Sequence, residues 1–138
     1  MPSAKEFTIS LEDRPGTLGK LCQTLGAEGV NILAYQQLPQ EKSKGSVRLV
    51  VDNPDKAKAV LDRQRSDYKE TDVAQAKLAH RPGELGRAAS RLGDAGININ
   101  YGYCGTDPNT NSTFLIFGVA EVGKAVKILE QAAAAATN

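Results

Sequence analysis

Arg14-Pro15-Gly16-Thr17-Leu18-Gly19 returns 67 residues later as Arg81-Pro82-Gly83-Glu84-Leu85-Gly86. The spacing persists beyond the hexapeptide: Leu25-Gly26 meets Leu92-Gly93, Gly29 meets Gly96, and Asn31-Ile32 meets Asn98-Ile99. From Arg14 to Ile32, ten of nineteen residues are identical at that spacing. Lys56-Ala57 aligns with Lys124-Ala125 after one inserted residue. A register held this long marks an internal duplication. It divides the chain into a first unit, residues 1–70, and a second, residues 71–138.

The first copy reads as alternating strands and helices. Phe7, Ile9 and Leu11 alternate with Thr8 and Ser10, the period of a half-buried strand. Asp13-Arg14-Pro15-Gly16 breaks that strand. Leu18, Leu21, Cys22 and Leu25 then follow with the spacing of an amphipathic helix. Pro15 suits the helix start, and Gly26 and Gly29 its end. Val30, Ile32 and Ala34 predict a second strand, Gln40 to Gly45 a turn, and Val47, Leu49 and Val51 a third strand. Asn53-Pro54-Asp55 opens a helix whose apolar side carries Ala57, Val60 and Leu61. A short strand near Tyr68 to Val73 completes the unit.

The order β-α-β-β-α-β predicts an α+β fold: two ferredoxin-like sandwiches in tandem, helices on one face of each antiparallel sheet. In the second copy Ala74, Ala76 and Leu78 take the phase of the first strand, and Leu85, Ala89 and Leu92 carry the helix. Ile97, Ile99 and Tyr101, then Phe114, Ile116 and Gly118, make the next strands. Val122, Ala125, Val126 and Leu129 mark the last helix. Ala132 to Asn138 offers no final strand. Either the second sheet is one strand short, or the Tyr68–Leu78 segment serves both copies. Leu115, Phe117 and Val119 are expected on the face away from the helices, as are Leu33, Tyr35 and Val50. Strands apolar on both sides are covered on both sides, so these faces are expected to be buried by the sister repeat or a second chain, with a homodimer favoured. No Pro or Gly interrupts Arg65 to Val73, which argues against a flexible linker.

Composition narrows the function. The 138 residues carry 17 Lys and Arg against 16 Asp and Glu, a net charge of +1. That balance gives no general attraction to nucleic acid or anionic membrane. One histidine and two cysteines fall short of a structural zinc site, so no metal and no cofactor is expected. No apolar stretch suits a membrane helix or an export signal, and a cytoplasmic protein is expected.

A small β-α-β-β-α-β unit with Asp13-Arg14-Pro15-Gly16-x-Leu18 before its first helix and Gly29-Val30-Asn31-Ile32 after it resembles the ACT domain. The resemblance runs from about Phe7 to Gln131 and is to the stand-alone tandem form, without a catalytic domain. It implies a regulatory module that binds an amino acid and acts on an enzyme of amino-acid metabolism in trans. It also implies an effector lying where two such units meet, with the asparagine after the helix as a contact. Two departures stand out: His80 replaces Asp13, and Glu84 replaces Thr17.

The chemistry of the loop supports a ligand independently. The first amides of a helix lack intrahelical partners and favour an anion. The candidate ligand-binding residues are therefore Asp13, Arg14, Pro15, Gly16, Thr17, Leu18, Asn31 and Ile32 in the first copy. In the second they are His80, Arg81, Pro82, Gly83, Glu84, Leu85, Asn98 and Ile99. Turn geometry alone also accounts for the Pro-Gly pairs. Three other readings compete. A purely structural interaction module fits the same pattern. An acylphosphatase-like hydrolase would use Arg14 and Asn31, but no phosphate cradle of several glycines is present, and no catalytic residues are assigned. RNA binding needs aromatics on the central strands, and Ser46 to Val51 has none.

Overall fold

The computed structural model describes residues 3–106 and 112–136. The chain divides into two compact units, one spanning Lys5–Thr71 and the other Asp72–Asn138 with Met1–Ala4.

The first unit contains β1 (Ala4–Glu12), α1 (Thr17–Ala27), β2 (Ile32–Pro39), β3 (Lys44–Val51) and α2 (Pro54–Arg63), followed by the start of β4 (Asp67–Ala79). Central β3 pairs antiparallel with both β1 and β2, setting Phe7 opposite Leu49 and Ile9 opposite Val47. Opposed residues share a face. Here that face packs on Leu25 of α1 and on Ala57, Val60 and Leu61 of α2. Asn53 caps α2, its Oδ1 accepting from the Lys56 amide at 3.1 Å, and Pro54 takes the first helical position. Tyr68 packs against this core, its ring edge-to-face with Phe7 at 5.8 Å.

The second unit uses the rest of β4, then α3 (Glu84–Asp94), β5 (Tyr101–Thr106), β6 (Ser112–Gly118) and α4 (Val122–Ala136). Central β6 pairs with β4, Ala76 opposite Leu115, and with β5, Tyr103 opposite Ile116. Ala88 and Leu92 of α3 and Ala125 and Leu129 of α4 close over the sheet. One 13-residue strand, β4, thus runs from the first unit into the second. Its Ala74–Ala79 half supplies the first strand of the second sheet, beside β6. No strand follows α4 among the described residues. Gly118 faces Tyr101 across the β5–β6 pair, and any Cβ there would overlap the tyrosine ring. Glycine lets the ring lie on the strand backbone.

Four expectations need correction. Leu115, Phe117 and Val119 belong to the helix-packed core, not the opposite face. Their register partners Ala74 and Ala76 point the same way. Phe114 and Ile116, on the other side, are also buried, so alternation between two apolar faces carried no sign. A bulge between Ile32 and Ala34 shifts the register of β2, placing Tyr35 opposite Leu49 and Ala34 opposite Val50. Tyr35 is 53% exposed within the chain. In α3 the buried stripe is Glu84, Ala88 and Leu92, and Leu85 is turned to solvent. Finally, Gly16 rather than Pro15 is the residue flanking α1, and Gly83 flanks α3 in the same way. Both adopt left-handed backbone, φ 92° and 88°, a conformation that Cβ-bearing residues resist.

Candidate functional site

Each Arg-Pro-Gly loop borders a cavity inside its own unit. The first cavity, about 320 Å³, lies beside α1, the ends of β1 and α2, and the start of β4. Of the residues expected to bind ligand, it takes Arg14 and Thr17. Thr17 Oγ1 donates to the backbone carbonyls of its own loop, those of Glu12 at 2.8 Å and Arg14 at 3.1 Å. Arg14 Nε lies 2.6 Å from Glu12 Oε2, with both side chains more than half exposed. The sequence reading missed Lys20, Lys44 and Arg65, which line the same cavity with Asp67. They come from α1, the start of β3 and the turn after α2, and no local motif links such separated positions. Leu11, Leu21, Val60 and Leu61 supply its apolar wall.

The second cavity, about 240 Å³, takes His80, Arg81, Glu84 and Leu85. Thr113, Cys104 and Leu78 complete much of its wall. His80 Nδ1 is 3.1 Å from Thr113 Oγ1. Glu84 is only 8% exposed. Arg87 Nη2 donates to its Oε2 at 2.8 Å, and Arg81 Nε to its Oε1 at 3.0 Å. These bonds, that from Arg87 foremost, hold the Glu84 carboxyl below the usual carboxylate range, against the opposing effect of burial.

The other candidates stand apart from these cavities. Asp13 is exposed, its amide donating to the Ser43 carbonyl at 2.7 Å. Pro15, Gly16, Pro82 and Gly83 are exposed turn residues. Thr17 and Glu84 each turn their amide toward the arginine carbonyl three residues back, at 3.4 Å in both loops. Leu18 and Ile32 pack at the margin of the first core and Ile99 at that of the second. Asn31 is exposed and exchanges bonds with Asp52: its amide donates to Oδ1 at 2.9 Å, and its carbonyl accepts from the Asp52 amide at 3.0 Å. Asn98 is exposed and donates through Nδ2 to Asn100 Oδ1 at 2.9 Å. Neither asparagine lines the cavity beside its unit's loop.

Among the described residues no cluster of three or more His, Cys, Asp or Glu is placed to hold a metal ion. Among them, too, no helix is long and apolar enough to cross a membrane. Cys22 is half-buried on α1, and burial pushes its thiol pKa up, away from the reactive thiolate.

Comparison with known proteins bears on the fold. The ACT domain matches residues 6–67. No curated protein matches the chain. Among solved structures, protein BT0572 from Bacteroides thetaiotaomicron is similar, with a TM-score of 0.81 and 26% identity over 94% of this chain and 88% of that one. The regulatory subunit of aspartate kinase from Thermus thermophilus, in ligand-free form, has a TM-score of 0.65 at 19% identity, covering 95% of this chain and 92% of its own. The corresponding subunit from Thermus flavus has a TM-score of 0.62 at 18% identity, with 96% and 93% covered. The last two likenesses speak to the fold. Residues 6–67 match the ACT domain, and nearly the whole length superposes on these structures, so the chain has the fold of two βαββαβ-type units in tandem, the first of which matches that domain.

Proposed function

We propose that the chain is a non-catalytic regulatory protein that binds a small effector of amino-acid type beside its Arg-Pro-Gly loops. One observation carries this reading: a loop that the duplication singles out borders a cavity in each unit, with an arginine in its wall. The first cavity, about 320 Å³, falls in the range of small-ligand pockets and pairs an apolar wall with a few charged groups. A carboxylate meets Arg14 there, and a short hydrocarbon body meets Leu21 and Leu61. The asparagines expected as contacts lie outside these cavities and serve as tests of the alternative position. Two of the similar structures are regulatory subunits of an enzyme, which supports action on an enzyme in trans. An effector that prefers one arrangement of the protein shifts its population toward that arrangement.

Thermal unfolding across the twenty amino acids tests this. A ligand that binds only the native state at one hundred times its Kd stabilises by about 2.7 kcal/mol, a shift of several degrees. A selective shift that Arg14→Ala removes and Asn31→Ala leaves in place is the expected result. A flat panel at millimolar concentration sinks the amino-acid reading.

A further inference from the structure

We propose that the two loops differ in kind: the first unit holds an open anion site, and the second unit fills the corresponding place with its own Glu84 carboxylate. The repeat register aligns Arg14 with Arg81, Thr17 with Glu84 and Lys20 with Arg87. In the second unit, the glutamate carboxylate lies between both guanidiniums at 2.8 and 3.0 Å and is nearly buried. Charge-assisted bonds of this length are the strong ones. An incoming carboxylate would have to displace it and leave a buried charge without partners, at a cost a small ligand does not recover.

The first unit has a hydroxyl at that position, and it bonds to its own loop. The Arg14–Glu12 pair is exposed on both sides, so water and ions exchange with it freely and it contributes little. Among the described residues no ion pair holds Lys20, Lys44 or Arg65. The cavity wall therefore presents four cationic side chains, Arg14 with these three, against the carboxylates Glu12 and Asp67. That excess selects a ligand of net negative charge. The class is a short dicarboxylate, of which an acidic amino acid is one form, rather than a neutral zwitterion that brings its own cation among cations. The choice of an amino acid rests on the effector reading above. The difference between residues 17 and 84 stands on the geometry alone.

Amide NMR titrations separate the two. The probes are sulfate, L-aspartate, succinate and L-leucine, applied to the whole chain and to Thr17→Glu, Lys20→Ala, Glu84→Thr and Glu84→Gln. Sulfate, succinate and L-aspartate are expected to move amides from Arg14 to Thr24 and to leave Arg81 to Arg91 unmoved. Thr17→Glu should weaken first-unit binding about tenfold or more, equivalent to about 1.4 kcal/mol. Lys20→Ala should weaken it too without touching the loop bonds of Thr17. Glu84→Thr, and to a lesser degree the size-preserving Glu84→Gln, should open a sulfate response in the second loop. A second loop that responds in the unmodified chain as strongly as the first overturns the proposal, and so does a Glu84→Thr variant that gains nothing. L-leucine binding the first loop as tightly as L-aspartate overturns the dicarboxylate class while leaving the amino-acid effector standing. Sulfate asymmetry without any response to L-aspartate or L-leucine, with succinate active, supports the open site and removes the amino-acid reading.

Discussion

Glu84 and Tyr68 show how single side chains tie this chain to pH. The Glu84 carboxyl titrates below its ordinary value of 4.5 because Arg87 and Arg81 donate to it. A depressed carboxyl contributes stability that is present above its unfolded pKa and is lost as pH falls through the folded one. Urea midpoints of the native chain and Glu84→Gln should therefore differ by a constant amount from pH 6 to 7 and converge at lower pH. A difference that stays constant down to pH 3 would contradict the geometry. Tyr68 runs the other way. Its hydroxyl donates to Asp62, and that bond, foremost, pushes its pKa up to about 12 from 10.0. Its contribution is present below the unfolded pKa and is lost as pH rises through the folded value. Ultraviolet titration, with Tyr68→Phe as the subtraction control, should show Tyr68 ionising late. Asp62→Asn should return it toward 10.0.

The repeated helices α1 and α3 differ despite their shared pattern. Leu25 and Leu92 are equivalent and both 0% exposed. Either one changed to alanine should cost about 2–5 kcal/mol in chemical denaturation, because the cavity left behind relaxes only partly. The equivalent pair Leu18 and Leu85 should diverge. Leu18 packs at the edge of the first core, whereas Leu85 is 53% exposed. Leu85→Ala should stay within about 0.5 kcal/mol of the native chain, as surface substitutions do, and Leu18→Ala should cost more. Equal effects of the two would refute the different burial of the helices. Glu84, clamped by two arginines, lies on the inner stripe of α3 with Ala88 and Leu92, and Leu85 lies outside that stripe.

In the molecule as a whole, the continuous strand β4 crosses the division between the two units. Its start carries Tyr68 onto the first core, and Ala74 to Ala79 pair with β6. The cores themselves are separate clusters, one around Leu61 and the other around Leu129. Leu61→Ala and Leu129→Ala each damage one of them. Hydrogen exchange should report lost protection in the damaged unit, and at Val73 and Ala74 of β4 in both variants, because opening either end frays the common strand. Protection at these two amides that drops in only one variant would show that the strand belongs to that unit alone.

Local physics was enough for much of this. The duplication, the strand and helix order and the Asn53-Pro54 helix start all follow from spacings, caps and turn residues within a few positions of one another. Such features act through short-range sterics and hydrogen bonds, so they are written in consecutive residues. Tertiary structure decided the rest. Alternation in β6 could not say which apolar face meets the helices, because Phe114 and Ile116 are as buried as Leu115 and Phe117. The bulge after Ile32 reversed the faces beyond it. Lys20, Lys44 and Arg65 met at one cavity only once three separate elements had packed. Glu84 passed from a polar surface residue to a buried one because two arginines reached it. In each case burial and charge compensation depend on the neighbours that the fold supplies, and those neighbours are distant in the chain or invisible to its period.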